Sequence, residues 1–400
     1  MPKDKYVNTV ERTRSPWLTL AAVAVGSVMT GVDGTALTIA GPDLAVDLGA
    51  SITDLQWVAN AYLLATALAL LPAGALADRY GRRAVFLCGV AGFTLTSLAI
   101  ALSGQVWLVI ALRALQGVFS AMLQPAALGL IRAGFPARTL GPAIGVWSAV
   151  AALGLAAGPL LGGLLVAAGG WSAIFYVNLP VGLLAIGLTL TFVRESRSGQ
   201  ALRVRTVLNL VRPRQFRVGV ALVAVNFGAL FGVLFLLTLY LQTHKSLDPV
   251  TAGLWLVPVT GVVVLSAPLG GLLTRRHGPL PPASAGLLLL AVGLGAMATL
   301  DLHSGAAQVA LATVPLGLGG GLALVAATEA ILAAAPPAEA GLASAVQQVA
   351  GQLGGLAGIA VLGSILAGGR DFTHGMHLAV LVAAAAVILS APLAVLLRRH

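Results

Sequence analysis

Three ionisable side chains, Asp33, Arg113 and Glu329, fall inside long apolar runs of this 400-residue chain; the rest of its 23 basic and 13 acidic groups lie at or beyond the run ends. A charge at the centre of a bilayer-spanning helix costs roughly 2.5–3.5 kcal/mol, so each needs a partner or contact with water. Asp33 and Arg113 each stand about eight residues from the same side of their runs, a depth of roughly 12 Å for both at about 1.5 Å per residue. The matching depth permits an ion pair, direct or through water. A carboxylate so placed can take up and release a proton, because burial opposes its charge while the guanidinium favours it. The alternative is a static pair that pins two helices. Glu329 lies a turn or two from Pro336–Pro337, which fits an interfacial residue better than a cavity residue.

Uncharged polar residues form stripes around these charges. Arg113, Gln116, Gly117, Ser120 and Gln124 recur at spacings of three and four on one face of an otherwise apolar helix. Gly26, Thr30, Asp33, Gly34 and Thr38 do the same on the first run, and Ser344, Gln348 and Gln352 on the eleventh. Such stripes either line a water-filled cavity or bond helix to helix. The sequence reading favours a cavity, with Thr30, Tyr62, Gln116, Gln124, Asn226, Gln348, Gln352 and Glu329 as its candidate wall.

The chain is 58% hydrophobic and 9% charged, with mean hydropathy +0.97, whereas a soluble domain carries about a quarter charged residues. It reads as an all-α polytopic membrane protein. The single cysteine, Cys88, leaves no disulfide framework or cysteine metal cluster. Only three lysines occur and there is no Gly-x-x-x-x-Gly-Lys loop, which speaks against an ATP-driven pump. No nucleophile elbow or paired catalytic carboxylates point to an enzyme, and the expectation is no metal and no cofactor.

Twelve apolar runs are long enough to cross a bilayer. They are Trp17 to Ala40, Leu55 to Ala77, Ala84 to Leu102, Val106 to Ile131, Gly141 to Ala168, Ile174 to Val193, Phe216 to Leu241, Ala252 to Leu273, Ala283 to Leu300, Ala306 to Ala335, Gly341 to Ala367 and Met376 to Leu397. The polar stretch 194–215 divides them into six-helix units, 1–193 and 216–400. The first run lacks an evident cleavage site and reads as a retained signal anchor.

With the N-terminus inside, 20 of the 23 basic residues fall on the cytoplasmic side. They include Lys3, Lys5, Arg12 and Arg14, the arginines of 194–215 with Arg203 among them, Arg275, Arg276, Arg398 and Arg399. Asp43, Asp47 and Asp54 fall on the first outer loop. The net charge of +10 is therefore a topology signal, and no nucleic-acid partner is expected. Both termini are expected in the cytoplasm of a cell whose inner (plasma) membrane holds the chain.

Between the second and third runs stands Gly74–x₃–Asp78–Arg79–x–Gly81–Arg82–Arg83. Gly81 suits a turn that needs positive φ, and Gly74 admits a neighbouring helix. Gly74, Arg79 and Gly81 recur 197 positions later as Gly271, Arg276 and Gly278, with Asp78 falling on Arg275. Gly145, Gly158 and Gly162 recur 196 positions later as Gly341, Gly354 and Gly358. Two matches at nearly one offset indicate a duplicated six-helix unit. The turn closely resembles the cytoplasmic signature of the major facilitator superfamily. Gly154–x₃–Gly158–Pro159–x₂–Gly162–Gly163 resembles its antiporter signature. Asp33–x–Thr35 with Pro42, Gln56–Trp57, Tyr62, Phe175 to Pro180, Tyr240–Leu241–Gln242 and Ala252–Gly253–Leu254 are similar to the drug:proton antiporter branch. Thr38 stands where that branch usually has asparagine, and twelve runs stand where it usually has fourteen.

The resemblance implies two six-helix bundles that rock about a central site, and a monomer that exchanges protons for a small amphipathic or cationic molecule such as a drug or metabolite. In that reading Asp33 accepts the proton beside Arg113, and Asp78 with its arginines latches the cytoplasmic side. A proton-coupled uptake symporter and a non-transporting receptor are the alternatives.

Overall fold

The computed structural model describes residues 16–197, 204–336 and 339–397. Among them twelve helices are long and apolar enough to cross a membrane: α1 Pro16–Leu48, α2 Ile52–Tyr80, α3 Arg82–Ala101, α4 Val106–Gly134, α5 Ala137–Gly169 and α6 Ala173–Phe192, then α7 Arg214–His244, α8 Pro249–His277, α9 Leu280–Met297, α10 Ala306–Ala334, α11 Ala340–Ala367 and α12 Phe372–Val395. Helices satisfy every backbone group within one segment, which lipid requires. The polar stretch between the halves carries one short helix, Val204–Leu210, and α7 begins at Arg214, two residues before the boundary expected from sequence. Lys3, Lys5, Arg12, Arg14, Arg203, Pro337, Arg398 and Arg399 lie outside the described residues.

In the first half α1 packs on α5, and α4 on both α2 and α3; in the second, α7 packs on α11, and α10 on both α8 and α9. The halves meet along two seams, α5 against α8 and α2 against α11. Asp78, Glu195, Arg275 and Arg276 lie at one end of the bundle, hereafter the basic end. Asp54, Asp248, Asp301 and Asp371 lie at the other, the acidic end. At the acidic end Asp248 caps α8, accepting from the backbone N–H groups of Val250 and Thr251 at 3.0 Å each. Hydrogen bonds from Thr251 hold its carboxyl below the usual carboxylate range.

The first helix departs from expectation. It runs two turns past Ala40, through Pro42, to Leu48. Asp43 and Asp47 therefore sit on the helix and not in a loop. A proline within a helix forfeits one backbone bond, and tertiary contacts can offset that. Here they do: Asp43 accepts from the Trp171 backbone N–H at 2.7 Å and Asp47 from the Trp171 indole at 2.8 Å. Asp54 instead closes a capping box with Ser51 at the start of α2.

Candidate functional site

Asp33 and Arg113 meet inside the first half, with Arg113 Nη1 2.6 Å from Asp33 Oδ2 and both residues 1% exposed. Asp33 lies about four turns from the acidic end of α1, because the extra turns of that helix project beyond α4. The pair forms nonetheless, since the helices cross at that level. Asp33 also accepts from the Asn178 amide at 3.2 Å and the Gln116 amide at 3.5 Å. Gln116 and Asn178 both donate to Ser97 Oγ, at 2.7 and 3.2 Å. Arg113 stacks over the Tyr62 ring, its guanidinium carbon 4.2 Å from the centroid, and Nε donates to the Val58 carbonyl at 3.4 Å. Five side chains from α1, α3, α4 and α6 thus share one positive and one negative charge in a buried cluster. The arrangement is net neutral and hydrogen-bonded, the condition under which buried charges are tolerated.

Sequence reading missed two members, Ser97 and Asn178. Asn178 is carried inward where α6 is interrupted at Val177, just before Pro180. Its signal was an amide in an apolar run, within the Phe175 to Pro180 stretch.

The polar stripe of α4 is thereby corrected. Gln116 is fully buried against α3 and α1, bonding Ser97 and Asp33, and Gly117 lets α2 approach, its Cβ position lying 2.5 Å from the Tyr62 carbonyl. Ser120 bonds the Tyr62 hydroxyl at 2.7 Å. Thr30 bonds back to its own helix at Ser27, and Asn226 is fully buried in the second half. Gln124, Gln348 and Gln352 are half-buried. On α11 it is Gln347 that reaches across, donating to Thr328 of α10 at 2.7 Å. Glu329 is half-buried and shares the α10 face of Leu311, five full turns away and 74% exposed. On the same face Leu322 is buried and Val325 packs close to Gly270 of α8.

A cavity does exist. It lies between α1, α2, α7 and α11 toward the acidic end, bounded by Tyr62, Arg113, Phe231, Phe235, Leu239 and Ile359. Its volume is about 30 Å³, enough for two or three waters at roughly 10–15 Å³ each. Of the candidate wall, Tyr62 lines it. Thr30, Gln116, Gln124, Asn226, Gln348, Gln352 and Glu329 do not. Glutamines clamp the halves at its rim. Gln56 donates to the carbonyls of Ile359 and Ala360 at 2.9 and 3.0 Å, and Gln242 to that of Ile39 at 2.9 Å.

The glycines of α5 have two jobs. Gly154 and Gly162 let α1 approach, their Cβ positions lying 3.2 Å from Val28 and 2.9 Å from Ala36 backbone; Gly158 faces Thr35. Gly163 faces Pro249 of α8, so the same helix seats both its own half and the other. Pro159 lacks the N–H that would bond the Leu155 carbonyl. Thr35 supplies the missing donor, its hydroxyl 2.9 Å from that oxygen.

At the basic end Gly81 takes φ +118° between α2 and α3. Arg82 pairs with Asp78 at 3.0 Å and reaches the Gly129 carbonyl of α4 at 3.2 Å. Arg83 donates to the Leu190 carbonyl at the end of α6 at 2.8 Å. Glu195, which sequence reading left in the linker, accepts from the backbone N–H groups of Arg83 and Ala84 at 2.9 and 3.1 Å, capping α3. Arg79 is exposed beside Tyr80. Gly74 faces Pro125 of α4 at 3.7 Å. Every partner named here belongs to the first half or, as Glu195, to the stretch that follows it, so among the described residues these bonds brace one bundle.

Two six-helix bundles, a charge pair buried in one of them and a clamped cavity between them define a polytopic membrane protein. The chain belongs to the Major Facilitator Superfamily, whose family model matches residues 23–359. It is 39% identical to a tetracenomycin C resistance and export protein of Streptomyces glaucescens, over 88% of this chain and 76% of that one. It is 33% identical to the multidrug resistance protein Stp of Mycobacterium tuberculosis, over 91% and 78%. A methylenomycin A resistance protein of Streptomyces coelicolor is 31% identical over 92% and 90%. In fold it is similar to a bacterial homologue of the lysosomal transporter Spinster solved in an inward-facing, unoccupied conformation, with TM-score 0.78, 18% identity and 96% of each chain covered.

Proposed function

We propose that this transporter, an exporter like its resistance and export relatives, exchanges protons for a small amphipathic molecule by alternating access, using Asp33 as the proton acceptor. The observation that carries this reading is the isolated Asp33–Arg113 pair in the core of the first half. Protonating Asp33 would cancel its charge and free Arg113 to bond elsewhere. That links proton uptake to a rearrangement of α1 against α4. The clamps at Gln56 and Gln242 hold the acidic end shut, and opening that end requires breaking them. The basic end is taken as cytoplasmic from the distribution of arginines, with both termini inside the plasma membrane and the chain working as a monomer in lipid without a cofactor. Asp78 and Arg82 set how readily the basic end opens by bracing the end of α4.

The test is transport in sealed vesicles with an imposed pH gradient. One proton falling through ~100 mV yields about 2.3 kcal/mol, and one pH unit adds about 1.4 kcal/mol. For a neutral substrate exchanged one for one, that supports a gradient of about five-hundredfold. Asp33→Asn should abolish proton-driven accumulation while keeping substrate-for-substrate exchange. Proton-driven accumulation by Asp33→Asn would remove Asp33 from the coupling role.

A further inference from the structure

We propose that the cavity between α1, α2, α7 and α11 is the closed form of a substrate subsite for an uncharged, flat aromatic molecule that carries a carbonyl or hydroxyl oxygen. The proposal rests on the exporter reading above and narrows its substrate by charge and shape. Its first support is the wall. Phe231 and Phe235 face the cavity from α7, Tyr62 from α2, and Gly34 and Gly41 present bare backbone from α1. Aromatic rings suit a planar guest, since ring faces stack at low entropy cost, and the two glycines leave room beside Leu37, Thr38 and Leu44 on the facing helix.

The second support is a free donor. Arg113 lines the cavity, and its Nε and Nη1 are taken by Val58, Asp33 and Gln116. Its Nη2 has no partner among the described residues. The Tyr62 hydroxyl is already engaged with Ser120. The two N–H donors of Nη2 are therefore left for acceptor oxygens on the guest.

The third support is the absence of a counter-charge for a cation. Among the described residues, the acids more than one turn inside the long helices are Asp33, Asp43 and Glu329, and Asp43 is engaged by the Trp171 backbone N–H at 2.7 Å. The Asp33 side chain is fully buried behind Arg113, Gln116 and Asn178, Asp43 is not among the residues that line the cavity, and Glu329 lies on α10, which contributes no residue to its wall. A cation entering the cavity meets a guanidinium first. An anion gains little, because Asp33 already balances that guanidinium.

At about 30 Å³ the cavity admits water and no substrate, which typically needs ~300 Å³ or more. The clamps at its rim account for that. Parting Gln56 from α11 and Gln242 from α1 separates the walls that carry Tyr62 and Phe235.

Acridone and 10-methylacridinium share one fused-ring frame, the first neutral with a carbonyl and the second a permanent cation. Fluorescence titration of the full chain in lipid nanodiscs, with empty nanodiscs subtracted, should show acridone binding at least tenfold tighter. Phe235→Ala should weaken acridone at least tenfold, while Phe235→Tyr, which keeps the ring, retains it and guards against a folding defect. Equal or tighter binding of methylacridinium, tighter binding of acridone-4-carboxylate, or an unchanged acridone affinity in Phe235→Ala would each overturn the assignment. Acridone binding with no proton-driven movement of any compound would remove the exporter reading and leave the ligand class standing. Proton-driven export with a preference for methylacridinium would do the reverse.

Discussion

The α2–α3 and α8–α9 turns occupy the same place in the two halves, 197 positions apart, yet they are built differently. Gly81 and Gly278 both take positive φ, +118° and +78°. Around Gly81 the chain closes in: a Cβ there would lie 2.5 Å from the Glu195 carboxyl, which caps α3. Around Gly278 nothing lies within 4 Å, and the neighbouring Arg275 and Arg276 are exposed. The same contrast recurs within the membrane. The first half encloses Asp33, Arg113, Gln116, Ser97 and Asn178 in one bonded cluster; in the second, Asn226 is fully buried with neither amide atom partnered among the described residues. Both halves carry the same devices of packing, glycines at turns and crossings. The charged chemistry stands in one.

The largest test of that contrast is the ion pair. Arg113→Ala leaves a carboxylate buried with amides alone, and removing one partner of a buried pair costs about 3–5 kcal/mol. The double variant Asp33→Asn with Arg113→Gln removes both charges together and should recover most of that loss. Unfolding in mixed micelles with rising SDS measures both. If the double variant is no more stable than Arg113→Ala, the pair is not what holds these helices.

How far the sequence foretold this site follows from what each residue costs in lipid. Asp33 and Arg113 were legible because neither is tolerable alone inside an apolar run, although their depths, counted from Ala40, missed the two further turns of α1. Twelve helices were legible for the same reason. Ser97 and Asn178 were not, because an uncharged polar group in an apolar helix is inexpensive and common, and the interruption at Val177 that turns Asn178 inward is a tertiary feature. The α4 stripe was visible as a polar face, but a face has no direction until its neighbours are placed. Gln116 turned toward α3, not toward a cavity. Glu195 read as linker because a cap across 112 positions from Arg83 leaves no local pattern. Gly41–Pro42 read as a helix end, and Trp171 overruled it from 128 positions away.

A smaller effect separates the two turns. Gly81→Ala and Gly278→Ala each force a side chain into backbone territory that glycine alone tolerates, at about 1–3 kcal/mol. Only the first also displaces Glu195 from the α3 N-terminus, where loss of a cap costs about 0.5–2 kcal/mol. Gly81→Ala should therefore unfold at lower SDS than Gly278→Ala, and Glu195→Gln should reproduce part of the difference. Equal losses at the two glycines would show that the closed and open turns are equivalent in energy.

The smallest effect has the opposite sign. Asn226 sits in α7 at 0% exposure with both amide atoms unpaired. A buried polar group without a partner carries a desolvation penalty of about 1–3 kcal/mol, and an apolar residue of similar shape avoids it. Asn226→Leu should leave stability unchanged or raise it by about 1 kcal/mol, read as a higher midpoint in the same SDS titration. The equivalent change in the first half, Asn178→Leu, strips Asp33 and Ser97 of one donor each and should lower the midpoint. Transport then separates two meanings of a stable Asn226→Leu. Intact proton-driven transport marks the second half as scaffold at this level. Transport lost without loss of stability would mean that the Asn226 amide is used in a conformation other than this one, and that the second half has chemistry of its own.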